Sequence, residues 1–403
     1  MKRYDAIVIG ARCAGSPAAM LLARKGHRVL MVDKATFPSD MLSTHVVQPL
    51  GCAALARWGL LDRVVASGCP PIHTFAFDFG PVKLSGAPGT RDAPNAYCPR
   101  RTVLDKILVD GAAEAGVEIR EEFSVDEIVI EDGRVTGIKG RSKGGEAVTE
   151  HATVVIGADG RHSLVARAVE AEQYNERAPI QAGYYTYFSG LPVDGRFEIF
   201  VRPNRGFAAA PTNDGLTMVV VGWPIAEHEQ NKKDYEASFM KTLEAVPAFA
   251  DRLKNAKRED RLFGAATPNY FRKPYGPGWA LVGDAGYQKD PITAQGIMDA
   301  FLQAERCTDA LHQSLSGAAS FDDAMAGYQR SRDEHVLPMF EFTCQLAAMA
   351  PPPPEAQQLF GAMQGNQKAM DGFAQMNAGT ISPVQFFAPE NVGAIMSASN
   401  PGR

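Results

Sequence analysis

Cysteine is scarce and scattered. Six occur in 403 residues, at positions 13, 52, 69, 98, 307 and 344, with no C-x-x-C pair and no metal-ligand spacing. That excludes a disulfide scaffold and gives no metal centre. Several stand in apolar helical context, as small core residues of a reduced compartment do. Long hydrophobic runs are missing too, and no stretch approaches the roughly 20 residues of a membrane span. Lys2 and Arg3 lead directly into a strand pattern with no room for a signal peptide, so the expected location is the cytoplasm. Charge of one sign is also lacking. Lys and Arg number 41 against 46 Asp and Glu, a net −5 that gives no support for binding nucleic acid. No internal repeat stands out. What remains is 45% hydrophobic and 22% charged, ordinary for a globular chain long enough for two domains or one large composite.

The first forty residues organise the rest. Ala6-Ile-Val-Ile reads as a buried strand, turns at Gly10 and enters a helix over 16–25. After Gly26 a second buried strand, Arg28-Val-Leu-Met-Val, ends on Asp33. This βαβ unit has the length of a dinucleotide-binding unit. Gly10 permits the tight turn and Gly15 lets the helix pack on the strand, with Ala11 and Ala14 between them. A diphosphate would sit over the amides at the helix start, and Asp33, followed by Lys34, is placed for the ribose hydroxyls of an adenosine. The middle glycine of the fingerprint is Arg12. Its side chain either obstructs the diphosphate or swings out and pairs with it.

Further along, His45 and Gln48 sit in a polar loop of the kind that wraps over a cofactor; each either reaches it or bonds to backbone. Residues 71–98 alternate as strands of a separate sheet. Two arginines, Arg100 and Arg101, open the next helix against its dipole, and an anion nearby would explain them, Arg101 above all. A strand meander follows around an Asp132-Gly133 hairpin turn. A second strand-turn-helix carries Gly157-Ala-Asp159-Gly160 with Ser163. Residues 181–224 read as all strand, with Tyr185 and Tyr187 on one face opposite Tyr184 and Thr186, as packing or as a pocket wall. A third segment, Gly283-Asp284 through Pro291 and Gly296-Ile297, ends a buried strand and starts a long helix. The tail is expected to be helical: one helix over 322–350 broken at Pro338, then another over 355–373 after a four-proline spacer.

The order and spacing of these three glycine–aspartate segments resemble the FAD-dependent aromatic hydroxylase superfamily, which includes p-hydroxybenzoate hydroxylase, flavin halogenases and geranylgeranyl reductases. The likeness covers roughly residues 4–340. It implies an α/β composite fold: a Rossmann-like FAD-binding domain (1–70, 99–180 and 262–340), an inserted antiparallel-sheet substrate domain (71–98 and 181–261), and a C-terminal helical extension (341–403). The resemblance places Gly10, Ala11, Arg12, Ala14, Gly15, Asp33, Lys34, Gln48, Arg101, Asp159, Gly160, Gly283, Asp284, Pro291, Gly296 and Ile297 at FAD, with NAD(P)H as transient co-substrate. Tyr185, Tyr187, Arg205, Phe207 and Pro291 are expected to face the substrate.

Departures accompany the likeness. Tyr287 replaces a usual histidine, and the Trp-x-Trp-x-Ile-Pro halogenase signature is absent, since Trp223-Pro-Ile has no partner tryptophan. No equivalent of the halogenase lysine is evident, and no catalytic side chain can be named. The activity implied is a monooxygenase using NAD(P)H and O2 on an aromatic or polyketide-like small molecule through a C4a-hydroperoxyflavin. The alternatives are a reductase of an apolar C=C bond, a halogenase-like enzyme, or a non-catalytic flavoprotein. A homodimer is compatible with the sequence.

Overall fold

The computed structural model describes residues 3–398, so the outermost residues of the ranges 1–70 and 341–403 lie outside the described residues. The fingerprint region folds as strand β1 (Tyr4–Ile9), helix α1 (Gly15–Arg24) and strand β2 (Val29–Val32), followed by α2 (Pro49–Arg57) and α3 (Arg101–Glu114). A meander leads into the ten-residue strand β3 (Val148–Gly157). Its hairpin turn is Asp132-Gly133, both with positive φ. The first part of β3 pairs antiparallel with Arg134–Ser142, and its end pairs parallel with β1. A short helix, α4 (Leu164–Ala168), follows.

The second sheet is built from β4 (Gln181–Ser189), β5 (Arg196–Arg202), β6 (Arg205–Pro211) and β7 (Thr217–Pro224), and is backed by α5 (Tyr235–Glu244) and α6 (Pro247–Leu253). The strand Thr74–Asp78 joins it parallel to β5, and Phe263–Ala266 pairs with β4, so this sheet reaches past residue 261. Strand β8 (Trp279–Leu281) then returns to the first sheet, where β8, β3, β1, β2 and Glu118–Arg120 lie parallel in that order and Tyr275–Gly276 pairs antiparallel outside β8. Its central strands read as apolar runs because both faces are buried, one beneath α1 and α3 and the other beneath the meander strands and α4. Helix α7 (Gly296–Leu315) packs against α1 and α2 over a core that includes Met20, Leu55, Phe301 and Leu311.

Helix α8 (Phe321–Ala347) runs through Pro338 without a break. The proline removes one backbone bond to Glu334. Val336 and Phe340 on either side are fixed against Phe271 and Tyr287, and that packing outweighs the lost bond. Beyond α8 the described residues hold four helices where one, over 355–373, was expected: α9 (Pro354–Met363), α10 (Gln367–Asn377), α11 (Pro383–Phe386) and α12 (Pro389–Ala398). Gly365, with φ of +78°, turns the chain between α9 and α10. These helices close over one face of the second sheet, where Met363, Phe373 and Phe386 meet Phe77, Tyr187 and Met218 in a single core.

Candidate cofactor and substrate site

Backbone closes the turn between β1 and α1 on both sides. Gly10 has φ of +104°, and a Cβ there would stand 2.4 Å from the Ala158 carbonyl oxygen just past β3. A Cβ on Gly15 would stand 1.7 Å from the carbonyl oxygen of Gly10. Neither position admits a side chain, and no side chain caps the head of α1. Asp33 holds the same turn: Ala11 N donates to Oδ2 and Ala35 N to Oδ1, both at 2.8 Å. Each carboxylate oxygen keeps capacity for a further donor. Lys34 beside it is exposed.

Arg12 leaves the turn clear. Its Nη1 donates to Asp105 Oδ2 at 2.5 Å, its Nη2 donates to Ser39 Oγ at 2.9 Å, and the guanidinium lies 5.1 Å from the centre of the Phe37 ring. Arg101 reaches the same carboxylate from the first turn of α3, with Nε and Nη2 each 3.0 Å from an oxygen. Asp105, fully buried, therefore binds two guanidiniums, and the cluster keeps one positive charge in excess. Its i,i+4 spacing from Arg101 was the available sequence signal for this residue, and sequence reasoning passed over it.

The other two segments meet the first. A Cβ on Gly283, past the end of β8, would lie 2.7 Å from that of Ala14. Asp284 follows, its side chain open to the cleft but ringed by protein. Burial pushes its carboxyl up to about 6, against the pull of Arg101 and with a further push from Asp299; solvent in the cleft moderates the effect. Asp159 accepts from Leu164 N, the first amide of α4, at 2.6 Å beside the capping Ser163, while its Oδ1 is buried without a partner among the described residues. Burial raises this carboxyl as well. Gly160 beside it borders open space. Pro291 starts a tight turn that ends at Ala294, a left-handed residue with φ of +50°. Gly296 then heads α7, again with no capping side chain; a Cβ there would meet nothing within 4 Å, and Ile297 next to it is buried. Gln48 braces this loop, donating to the carbonyls of Thr293 at 3.2 Å and Ala294 at 3.3 Å.

Across the loop stands the inner face of the second sheet. Strand alternation turns Tyr185 and Tyr187 inward, while Tyr184 and Phe188 pack outward beneath α5 and α6. The Tyr187 hydroxyl bonds His45 Nε2, and the Arg100 guanidinium lies 4.5 Å above the Tyr187 ring. His45 is fully buried, has φ of +62°, and its Nδ1 has no partner among the described residues. Burial, then Arg101 and Arg100, hold its pKa down to about 3, so the ring is neutral. Arg205 and Phe207, expected on the substrate wall, lie on the other side of the sheet. Arg205 pairs with Glu227 at 3.2 Å, and Phe207 stacks on Phe200 at 4.4 Å between ring centres. The pleat of β6 turns Ala208 and Ala210 inward instead.

A family described as an FAD binding domain matches residues 3–343. The chain belongs to this family. Among the relatives of this FAD-binding protein, the digeranylgeranylglycerophospholipid reductase of Methanosarcina acetivorans is 26% identical over 342 residues, covering 81% of this chain and 80% of the reductase. The myxobacterial chondrochloren halogenase CndH shares the fold with a TM-score of 0.80 at 22% identity, covering 99% of this chain and 97% of that one. PqsL of Pseudomonas aeruginosa, described as a probable FAD-dependent monooxygenase, gives 0.71 at 21% identity over 94% of this chain and 100% of that one. The protein is thus a flavoenzyme of the superfamily that spans aromatic hydroxylases, halogenases and geranylgeranyl reductases.

The residues in place fit FAD. The cationic cluster and the uncapped head of α1 suit a diphosphate, Asp33 retains acceptor capacity for ribose hydroxyls, and the open space at Gly296 admits a flat ring beside free helix amides. Among the described residues no group of three His, Cys, Asp or Glu side chains could hold a metal, and no helix is long and apolar enough to cross a membrane.

Proposed function

We propose that this flavoenzyme is a monooxygenase that draws on NAD(P)H and O2 to oxygenate an aromatic or polyketide-like small molecule. The observation that carries the reading is the inner sheet face. There the hydroxyls of Tyr185 and Tyr187 and the neutral His45 ring stand in a wall otherwise made of Phe75, Ala208, Ala210 and Met218, next to the Ala294 loop. Such a wall suits a planar apolar molecule that carries one or two polar groups.

Bound FAD supplies hydride acceptance and oxygen activation. In this reading Gly10, Ala11, Arg12, Ala14, Gly15 and Arg101 receive the diphosphate, and Asp33 and Lys34 the adenosine ribose. Asp159 and Gly160 border the cofactor from β3. Gly283 and Asp284 take the ribityl chain; Pro291, Gly296 and Ile297 frame the ring, with Gln48 as brace. The amides at the head of α7 stabilise negative charge gathering on the ring. Helices α9–α12 shield the inner face and exclude water from it. The division into cofactor domain, inserted sheet and helical extension follows from this use of the chain. Six free, buried cysteines support a cytoplasmic setting.

A second reading, reduction of an apolar C=C bond, is supported by the likeness to the Methanosarcina reductase. Product mass separates the two, because only oxygenation adds an oxygen atom. The first test is anaerobic mixing of the FAD-loaded protein with NADPH, then NADH, while following the flavin band. Bleaching is expected with one of them in the presence of substrate. No bleaching with either, with or without candidate aromatic substrates, would sink the self-contained monooxygenase.

A further inference from the structure

Asp290 immediately precedes the ring-framing Pro291, and its side chain ends against the first residue of β4. Oδ1 accepts from Gln181 Nε2 at 2.5 Å and from Ile292 N at 3.0 Å. The partner atoms of both groups, Asp290 Oδ2 and Gln181 Oε1, are buried acceptors with no donor among the described residues. Leaving two such atoms unpaired costs far more than pairing them returns. A single proton resolves both. On Oδ2 it donates to Oε1, and together with the observed Nε2–H to Oδ1 bond it closes a cyclic pair of carboxylic acid and carboxamide. We propose that Asp290 carries a proton on Oδ2, shared with Gln181, and that this neutral pair is the positioning element that fixes the Pro291–Thr293 turn against the substrate sheet.

The surroundings agree. Asp290 is 1% exposed and Gln181 4%. Asn269 Oδ1 accepts from the Asp290 backbone N at 2.7 Å and offers the carboxylate no charge. Lys289, the adjacent cation, is committed to Asp299 at 2.6 Å and to Gln295 at 2.9 Å. From α8, Cys344 faces Asp290 as a thiol that burial keeps protonated, and Arg177 beyond it is held by Glu341 at 2.6 Å. With no free cation beside it among the described residues, burial raises the Asp290 carboxyl to about 6. An acid raised in this way loses its proton as pH rises past that value, so the latch holds on the acid side and loosens on the alkaline side.

The positioning half of the proposal rests on the FAD reading; the proton does not, and the two are tested apart. Infrared difference spectra of the full-length protein without FAD, titrated between about pH 5 and about pH 8, should show the carbonyl band of a buried carboxylic acid that disappears on raising pH. Asp284 titrates in the same window, so the Asp290 band is the part of the signal that is missing in Asp290→Asn and shifted in Gln181→Leu, which removes the shared bond. A native spectrum indistinguishable from that of Asp290→Asn would overturn the proton, and an unshifted band in Gln181→Leu would overturn the sharing. FAD affinity across the same window should fall roughly tenfold toward alkaline pH, the ratio for one unit of pKa difference between free and loaded protein. In Asp290→Asn, whose amide keeps the paired geometry, that change should be smaller by the same factor. Equal slopes in the two proteins would overturn the positioning role while leaving the FAD site intact.

Discussion

Asp105 shows how a single buried carboxylate changes what a neighbouring residue can do. Alone at the middle of a glycine fingerprint, Arg12 would obstruct a diphosphate; tied to Asp105 and Ser39, it becomes part of a preformed cationic wall. Replacing Arg12 with Gly restores the ordinary fingerprint yet should weaken FAD binding by about tenfold or more, since a charged hydrogen bond contributes about 1.5–3 kcal/mol; flavin titration by fluorescence checks this. Asp284 carries the opposite bargain. Its raised carboxyl makes ionisation unfavourable in the fold, so its contribution to stability is full at acid pH and is lost as pH rises from the ordinary carboxylate range through about 6. The substitution Asp284→Asn should leave the FAD-free protein at pH 7 at least as heat-stable as the native one while weakening FAD retention on gel filtration. A clear drop in melting temperature would contradict this. At the sheet, Tyr187→Phe should lower turnover without loss of fold, because the ring keeps its packing while the bond to His45 goes, whereas Phe207→Ala should cost about 3–5 kcal/mol from the outer core with the site unchanged.

At the scale of elements, α1 tolerates nothing at its entry. A Cβ at Gly15 would fall on a backbone oxygen that cannot yield, so Gly15→Ala should displace the helix head, abolish FAD retention and destabilise by about 1–3 kcal/mol or more. Gly160→Ala is the control: the space is open, and only the left-handed φ of +75° costs it, about 1 kcal/mol. Urea unfolding of both variants separates the two causes. The same contrast governs what the sequence disclosed. Gly10, Gly15 and the Asp132-Gly133 turn were legible because their constraints are local and bear on the backbone of a few neighbouring residues. Pro338 misled because its cost is local while its compensation, Phe340 against Phe271 and Tyr287, comes from chain some fifty residues or more away. Arg205 and Phe207 were assigned to the wrong wall because alternation gives two faces without saying which one the cofactor loop covers. The contacts of His45 with Tyr187 and of Asp105 with Arg12 were hidden for a related reason: the partners lie far along the chain, and only the fold brings them together.

For the whole molecule, the C-terminal helices belong to the half built on the second sheet. Met363, Phe373, Met376 and Phe386 complete the core that begins with Phe75 and Phe77. A chain ending at residue 350 should therefore expose the inner sheet face, bind a hydrophobic dye and melt without a sharp transition. A truncated protein that melts cooperatively and keeps the native oligomeric state would show that the tail is dispensable. The parallel sheet imposes another condition, on biosynthesis. Its parallel strands come from residues 4–9, 29–32, 118–120, 148–157 and 279–281, and on one side of β3 lie β8 and then the two-residue strand Tyr275–Gly276 that pairs with it. At ribosomal speeds of about 5–20 residues per second, β1 leaves the exit tunnel roughly a quarter of a minute to a minute before β8 exists to close the edge of its sheet. Until Trp279 arrives, the end of β3 presents an unpaired apolar margin, the kind of surface that chaperones cover on nascent chains.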